Sequence, residues 1–104
     1  MVKRFAVYLI ETGTMARPHP KPAVVVSPDE LNATLPYVTV APITSKIRYY
    51  PFRVNLNLKE KEGQIALDQI QTVIKEKLVK KIGVLPPQSH TQIADILKEM
   101  FELG

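Results

Sequence analysis

Between residues 4 and 73 the apolar side chains recur mostly at every second position, and this alternation constrains the fold more than any other feature of the chain. Segments 4–11 (RFAVYLIE), 23–27 (AVVVS), 37–44 (YVTVAPIT), 52–58 (FRVNLNL) and 63–73 (GQIALDQIQTV) are rich in Val, Ile, Tyr, Phe and Thr. Each is bounded by Pro, Gly, Asn or charged clusters, the pattern of β-strands. Five strands at such short spacing predict a twisted antiparallel sheet or small barrel.

A helical period occurs once, in SHTQIADILKEMFELG (89–104), where Ile93, Ile96, Leu97, Met100 and Phe101 form one stripe. Ser89 and Gln92 have the spacing of a capping box, and Pro86 and Pro87 stop any helix from upstream. Ser27 is placed to cap a single helical turn in SPDELNAT, with Asn32 to end it. KEKLVKKIGVL reads as one helical turn followed by a short strand, and TSKIRYYP as a basic, aromatic loop. Strands first and a helix last indicate an α+β, mainly β architecture rather than alternating βαβ units. A chain of 104 residues suits one domain, 1–104.

The chain contains no cysteine, which excludes disulfides and Cys-ligated metal sites. Its two histidines, His19 and His90, are far apart in sequence, so no metal site is expected. No apolar stretch approaches membrane-spanning length, and the short apolar run near the N-terminus lacks a cleavage site, so a cytoplasmic location away from membranes is expected. The net charge of +4 is unevenly distributed: seven bases face three acids up to Arg53, and seven face seven beyond it. The positive first half suits a polyanion or an acidic protein segment.

No nucleotide-binding glycine motif, zinc-protease motif or Ser/His/Asp order is present. What remains is polar side chains near strand ends. Lys21 precedes the second strand, Thr44 and Ser45 follow the third, and Asp68 and Gln69 lie within the fifth; Arg17, His19, Lys46 and Arg48 are on loops. In an antiparallel sheet the start of strand two and the end of strand three share an edge, which would bring Lys21 beside Thr44. A cation next to a hydroxyl there is a possible phosphate site, although a turn cap at Thr44 and a solvated lysine at 21 remain open. A carboxylate in IALDQI needs a partner, structural or functional.

Taken together, KPAVVVSPDELN, VTVAPITSK with YPFRV, ALDQIQTV and LVKKIGVL, in this order and at these spacings, resemble the MazF/PemK family of toxins from bacterial toxin-antitoxin pairs. The resemblance runs from about residue 4 to the end of the chain. It implies a CcdB-type fold with SH3-like barrel character plus a C-terminal helix, assembled as a homodimer. It also implies sequence-specific, metal-independent cleavage of single-stranded RNA without a cofactor, restrained by a cognate antitoxin protein. The sister gyrase-poisoning branch works through a C-terminal Trp-Gly-Ile, and this chain has no tryptophan.

The family's Arg-Pro at the head of strand two is here Lys21-Pro22; its threonine matches Thr44, with Ser45 beside it, and its Asp-Gln block matches Asp68-Gln69. Its opening Arg-Gly-Asp pattern survives only as Arg4, Gln71 stands where many members carry arginine, and the first loop, TGTMARPHP, departs from the family's usual composition. Lysine is a point charge rather than a bidentate fork. A catalytically weakened protein that binds antitoxin or RNA is therefore the alternative expectation. In the catalytic reading Lys21 and Arg17 stabilise the phosphate and Thr44 orients it. His19 is the candidate proton carrier because imidazole titrates near neutrality; an ordinary loop histidine is the other reading. Arg17, Ser45, Lys46, Arg48, Tyr49, Asp68 and Gln69 are the expected RNA-binding residues. Tyr49 and Tyr50, beside Lys46, Arg48 and Arg53, combine stacking faces with cations, as single-stranded RNA grooves do, unless both pack on the sheet edge.

Overall fold

The computed structural model describes residues 1–102. Its strands are β1 (Ala6–Glu11), β2 (Pro20–Val25), β3 (Tyr37–Thr44), β4 (Arg53–Leu58), β5 (Lys61–Ala66), β6 (Gln71–Ile74) and β7 (Leu78–Val84). Helix α1 (Asp29–Thr34) lies between β2 and β3, and α2 (Pro87–Met100) follows β7. All pairings are antiparallel, in the order β4-β5-β3-β2-β1-β7, with β6 also on β3. The expected architecture is present: a sheet curled into a half-barrel and closed on one side by a C-terminal helix.

The central strands are buried on both faces, which is why the second reads as an unbroken apolar run rather than an alternating one. Val7, Val24, Val26, Ala41, Val54 and Ile65 form one cluster with Ile93 of α2. Ala23, Val25, Val38, Val40 and Ile10 form a second cluster, flanked by Tyr8, Val73 and Leu78.

One predicted element is corrected. Residues 63–73 are not one strand: β5 ends at Ala66, a 3₁₀ turn occupies Leu67–Gln69, and β6 begins at Gln71. The cause is in the register. β3 pairs Thr44 with Gln64 and Val40 with Gln71, so four steps along β3 correspond to seven along its neighbour. The three extra residues form the turn, which drives Leu67 into the core and leaves Asp68 and Gln69 exposed. Asp68 therefore does not lie within a strand.

Smaller corrections fall at element ends. β2 starts at Pro20, so Lys21 lies inside it rather than before it. Helix α2 starts at Pro87, two residues before Ser89, with Pro86 at the N-cap position and no side-chain cap. Proline suits the first helical turn because the backbone N–H there has no intrahelical partner. Ser27 does not cap α1 from the N-cap position, which Pro28 holds. Its hydroxyl donates to Asn32 Oδ1 (2.5 Å), Asn32 Nδ2 returns a bond to the Ser27 carbonyl (2.9 Å), and Asn32 is buried inside the helix instead of ending it. The single turn at Lys75–Lys77 and the strand after it form as expected, although the turn is 3₁₀.

Helix α2 docks through Ile93 and His90, with Ile96, Leu97 and Met100 packed around them against the core. Ile93 is fully buried, and His90 stacks on Phe5 with ring centroids 4.1 Å apart and planes 12° from parallel. His90 Nε2 is 2.8 Å from the Leu85 carbonyl oxygen, so this nitrogen carries the proton. Truncating Ile93 to alanine removes the helix's one fully buried side chain. We expect Ile93→Ala to lower unfolding stability by about 2–5 kcal/mol, read as a reduced midpoint in urea denaturation.

Candidate functional site

The first loop, between β1 and β2, is held as a compact turn. Glu11 Oε2 accepts from the amides of Gly13 (2.7 Å) and His19 (2.5 Å), while Thr12 Oγ1 donates to the His19 carbonyl (2.6 Å). At the tip, the Thr14 amide donates to the Arg17 carbonyl (3.0 Å), and the Arg17 amide donates to Thr14 Oγ1 (3.0 Å). A Cβ at Gly13 would overlap the Arg17 carbonyl oxygen and lie 2.8 Å from the His19 nitrogen, so only glycine fits. The backbone amides hold the Glu11 carboxyl below the usual carboxylate range. The frame is rigid while the side chains of Arg17 and His19 are exposed.

The β2–β3 register pairs Ala23 with Pro42. Continued two residues further, it sets Lys21 opposite Thr44, on one face of the sheet. The Lys46 amide donates to Thr44 Oγ1 (3.1 Å). With that acceptor position used, the Thr44 O–H can still donate to an incoming anion. β5 comes close to β3 here: a Cβ on Gly63 would lie 3.1 Å from the Thr44 carbonyl oxygen.

The loop from Ser45 to Phe52 arches over the β4–β5 hairpin and is anchored by one side chain. Gln64 is 4% exposed. Its Oε1 accepts from the Arg48 amide (3.0 Å), and its Nε2 donates to the Arg48 carbonyl (2.9 Å) and to Asn55 Oδ1 (2.9 Å). Both backbone groups of Arg48 are therefore fixed while its guanidinium stays outside. Tyr49 is completely exposed.

Asp68 has the partner its sequence context demanded. Arg53 grips it with two parallel bonds, Nε–Oδ1 at 2.6 Å and Nη2–Oδ2 at 3.1 Å, and also reaches Gln64 Oε1 at 3.4 Å. The Arg53 side chain is 5% exposed, that of Asp68 30%. Arg53 also lies over Tyr50, 5.0 Å from the ring centroid. The bidentate bond is the main cause that holds the Asp68 carboxyl below its ordinary value. Asp68 thus joins the turn at Leu67–Gln69 to β4, with Gln69 exposed beside it.

The expected residues therefore fall into three groups. Lys21 lies at the start of β2, with Arg17 and His19 on the loop before it. Thr44, Ser45, Lys46, Arg48 and Tyr49 lie at the end of β3 and on its loop. Asp68 and Gln69 are in the 3₁₀ turn. The β2–β3 register, continued, relates the first two groups through Lys21 and Thr44, and Gln64 with Arg53 ties the second to the third. Gln64 and Asn55 had no sequence signal, because a polar residue in an alternating strand looks the same whether it anchors a loop or faces solvent. Among the described residues no three His, Cys, Asp or Glu side chains gather as a metal site would require.

Over residues 3–101 the sequence matches the family described as PemK-like, MazF-like toxin of type II toxin-antitoxin system. No curated protein sequence matches the chain. Among solved structures it is similar to an endoribonuclease in complex with its cognate antitoxin from a mycobacterial species (22% identity, 100% of both chains, TM-score 0.84). It is also similar to the Mycobacterium tuberculosis toxin MazF-mt6 (22% identity, 95% of this chain and 98% of that one, TM-score 0.78). A third likeness is a MazE-MazF structure from Deinococcus radiodurans (17% identity, 99% and 98%, TM-score 0.82). At these identities the likenesses establish the fold.

Replacing Asp68 with asparagine leaves Arg53 nearly buried without its counter-charge. We expect Asp68→Asn to lower stability at pH 7 by about 2 kcal/mol, measured by chemical denaturation. Because the folded-state value is depressed, the ion-pair contribution is complete above the unfolded carboxyl value of about 3.9 and is lost as pH falls through the folded one. The gap between wild type and variant should therefore close below about pH 4. Gln64→Ala should free the loop, seen as faster limited proteolysis between Lys46 and Arg53.

Proposed function

The chain belongs to the PemK-like, MazF-like toxins of type II toxin-antitoxin systems, and on that premise we propose that it is an endoribonuclease that cuts single-stranded RNA at a short sequence. What supports this reading is the β2–β3 register, which, continued two residues, sets Lys21 opposite Thr44 at the ends of their strands, with the Thr44 hydroxyl left a free donor. Around it stand the exposed cations Arg17, Lys46 and Arg48 and the exposed ring of Tyr49. Such a set supplies charge for a phosphate backbone and a face for a base to stack on.

In the proposed reaction the 2′-oxygen of one nucleotide forms a bond to the adjacent phosphorus as the bond to the 5′-oxygen breaks. The 2′-hydroxyl proton goes to a base, and the leaving 5′-oxygen takes one from an acid. Lys21 and Arg17 stabilise the charge developing on the phosphorane, and Thr44 donates to one of its oxygens. His19, exposed on the loop just before β2, is the proton carrier in this reading. The protein acts in the cytoplasm as a homodimer of one-domain subunits and is restrained by a cognate antitoxin. No helix among the described residues is long and apolar enough to cross a membrane.

A second reading is favoured by one specific observation. Lys21 stands where the family carries arginine, and a lone ammonium clamps a phosphate less firmly than a planar fork. A protein weakened in this way would bind antitoxin or RNA without cutting.

The test is incubation of a long, mixed-sequence RNA with purified protein in EDTA, with the cut ends mapped. Wild type should cut at a recurring short sequence, Lys21→Ala and Thr44→Val should be slower by about 10²–10³-fold, and Lys21→Arg should retain activity. A folded wild type that leaves the RNA intact would favour the binding reading.

A further inference from the structure

Next to the Thr44 edge, the loop and the β4–β5 hairpin enclose a hollow of about 240 Å³ lined by Ile47, Asn55, Leu56, Asn57, Glu62 and Gly63. Its polar side is made by one cross-strand pair. Asn57 and Glu62 face each other in the β4–β5 register, so their side chains emerge together. Asn55 and Gln64 form the next pair on the same face of the ladder, and Gln64 in turn is opposite Thr44. Glu62 is thus one strand over and two residues along from Thr44, about 5 Å across the sheet and about 7 Å along it.

Part of the hydrogen-bonding capacity in the hollow is unspent. Asn55 is committed to Gln64 through its Oδ1. Among the described residues, Asn57 and Glu62 hold no side-chain hydrogen bond, and the ion pairs are Lys3–Asp29 and Arg53–Asp68. Glu62 is therefore an unpaired carboxylate in a region whose other exposed charges are mostly basic: Lys46, Arg48, Lys59 and Lys61, with Glu60 at the hairpin turn. A phosphate or an acidic peptide would be repelled from this spot, while the cations around it hold a polyanion nearby. A nucleobase is the part of such a chain that seeks a hydrogen-bond acceptor, and Ile47 provides an apolar wall for its face.

We propose that this hollow holds one base of the single-stranded RNA, beside the nucleotide whose phosphate meets Lys21 and Thr44, and that Glu62 and Asn57 select a base with an exocyclic amine. This rests on the endoribonuclease reading above and gives it a specificity element. The amine donates to the Glu62 carboxylate, and the adjacent ring nitrogen of cytosine or adenine accepts from the Asn57 amide. Uracil presents a carbonyl oxygen in place of the amine, and that oxygen would face the carboxylate.

Binding of short fluorescently labelled oligo(dC), oligo(dA) and oligo(dU), followed by anisotropy, tests this without chemistry because the deoxy sugar lacks the attacking hydroxyl. Wild type should bind oligo(dC) and oligo(dA) on the order of ten-fold more tightly than oligo(dU). Glu62→Gln and Asn57→Ala, both at exposed positions, should bring the three affinities together. Equal affinities in wild type, a preference that survives both substitutions, or no binding of any oligonucleotide would overturn the proposal. The nuclease reading is decided separately by the RNA-cutting assay. Selective binding lost in Glu62→Gln by a protein that cuts nothing would sustain the base site and sink the enzyme, and cutting by a protein without base preference would do the reverse.

Discussion

The change of register along β3 is the constraint on which the rest of the structure depends. One flank of this strand is shared by β5 and β6, whose ladders are out of step by three residues. A continuous partner strand would leave the sheet straighter and would place Leu67 and Asp68 on opposite faces. The turn instead sends Leu67 to the core and swings Asp68 outward, where Arg53 meets it. The sheet can then curl around α2, and Ile93 seals the cluster formed by Val7, Val24 and Ile65.

The loop after β3 shows how a basic, solvent-facing segment can be held in place without a core of its own. Its outer side chains, Lys46, Arg48 and Tyr49, are exposed, whereas the backbone at Arg48 is bonded on both sides to a nearly buried amide. Burying the Gln64 amide is tolerable because its hydrogen-bonding groups are satisfied. Cations that would otherwise repel one another and move are thereby presented from a fixed frame. A pre-ordered surface loses less entropy when it takes up a flexible polyanion.

Charge is distributed by role across this surface. The cations at its edge attract a phosphate backbone of any sequence, a contribution that weakens with salt. Arg53 belongs to a different class despite its charge, because Asp68 neutralises it and its side chain is almost fully covered. Net charge alone does not distinguish a guanidinium that meets a ligand from one that joins two strands. Glu62 is the converse case: an acid amid bases, with no protein partner among the described residues.

Much of this protein was legible in its sequence. Alternation marked the strands, a 3.6-residue stripe marked α2, and four blocks in order marked the family, because each depends on residues close together in the chain. That β2 and β3 are antiparallel neighbours was also within reach. What the sequence left open involves distant residues meeting across the sheet. The break at Leu67–Gln69 arises from how β3 divides its flank, and a local period carries no information about a register set by a remote partner. Asp68 looked like an uncomfortable acid within a strand until folding brought Arg53 to it across 15 positions. Gln64, Asn57 and Glu62 looked like ordinary polar residues of a hairpin. Only the tertiary structure separated them, turning one inward to hold a loop and leaving the other two without a side-chain partner among the described residues, because burial and cross-strand adjacency depend on the whole sheet rather than on any one segment.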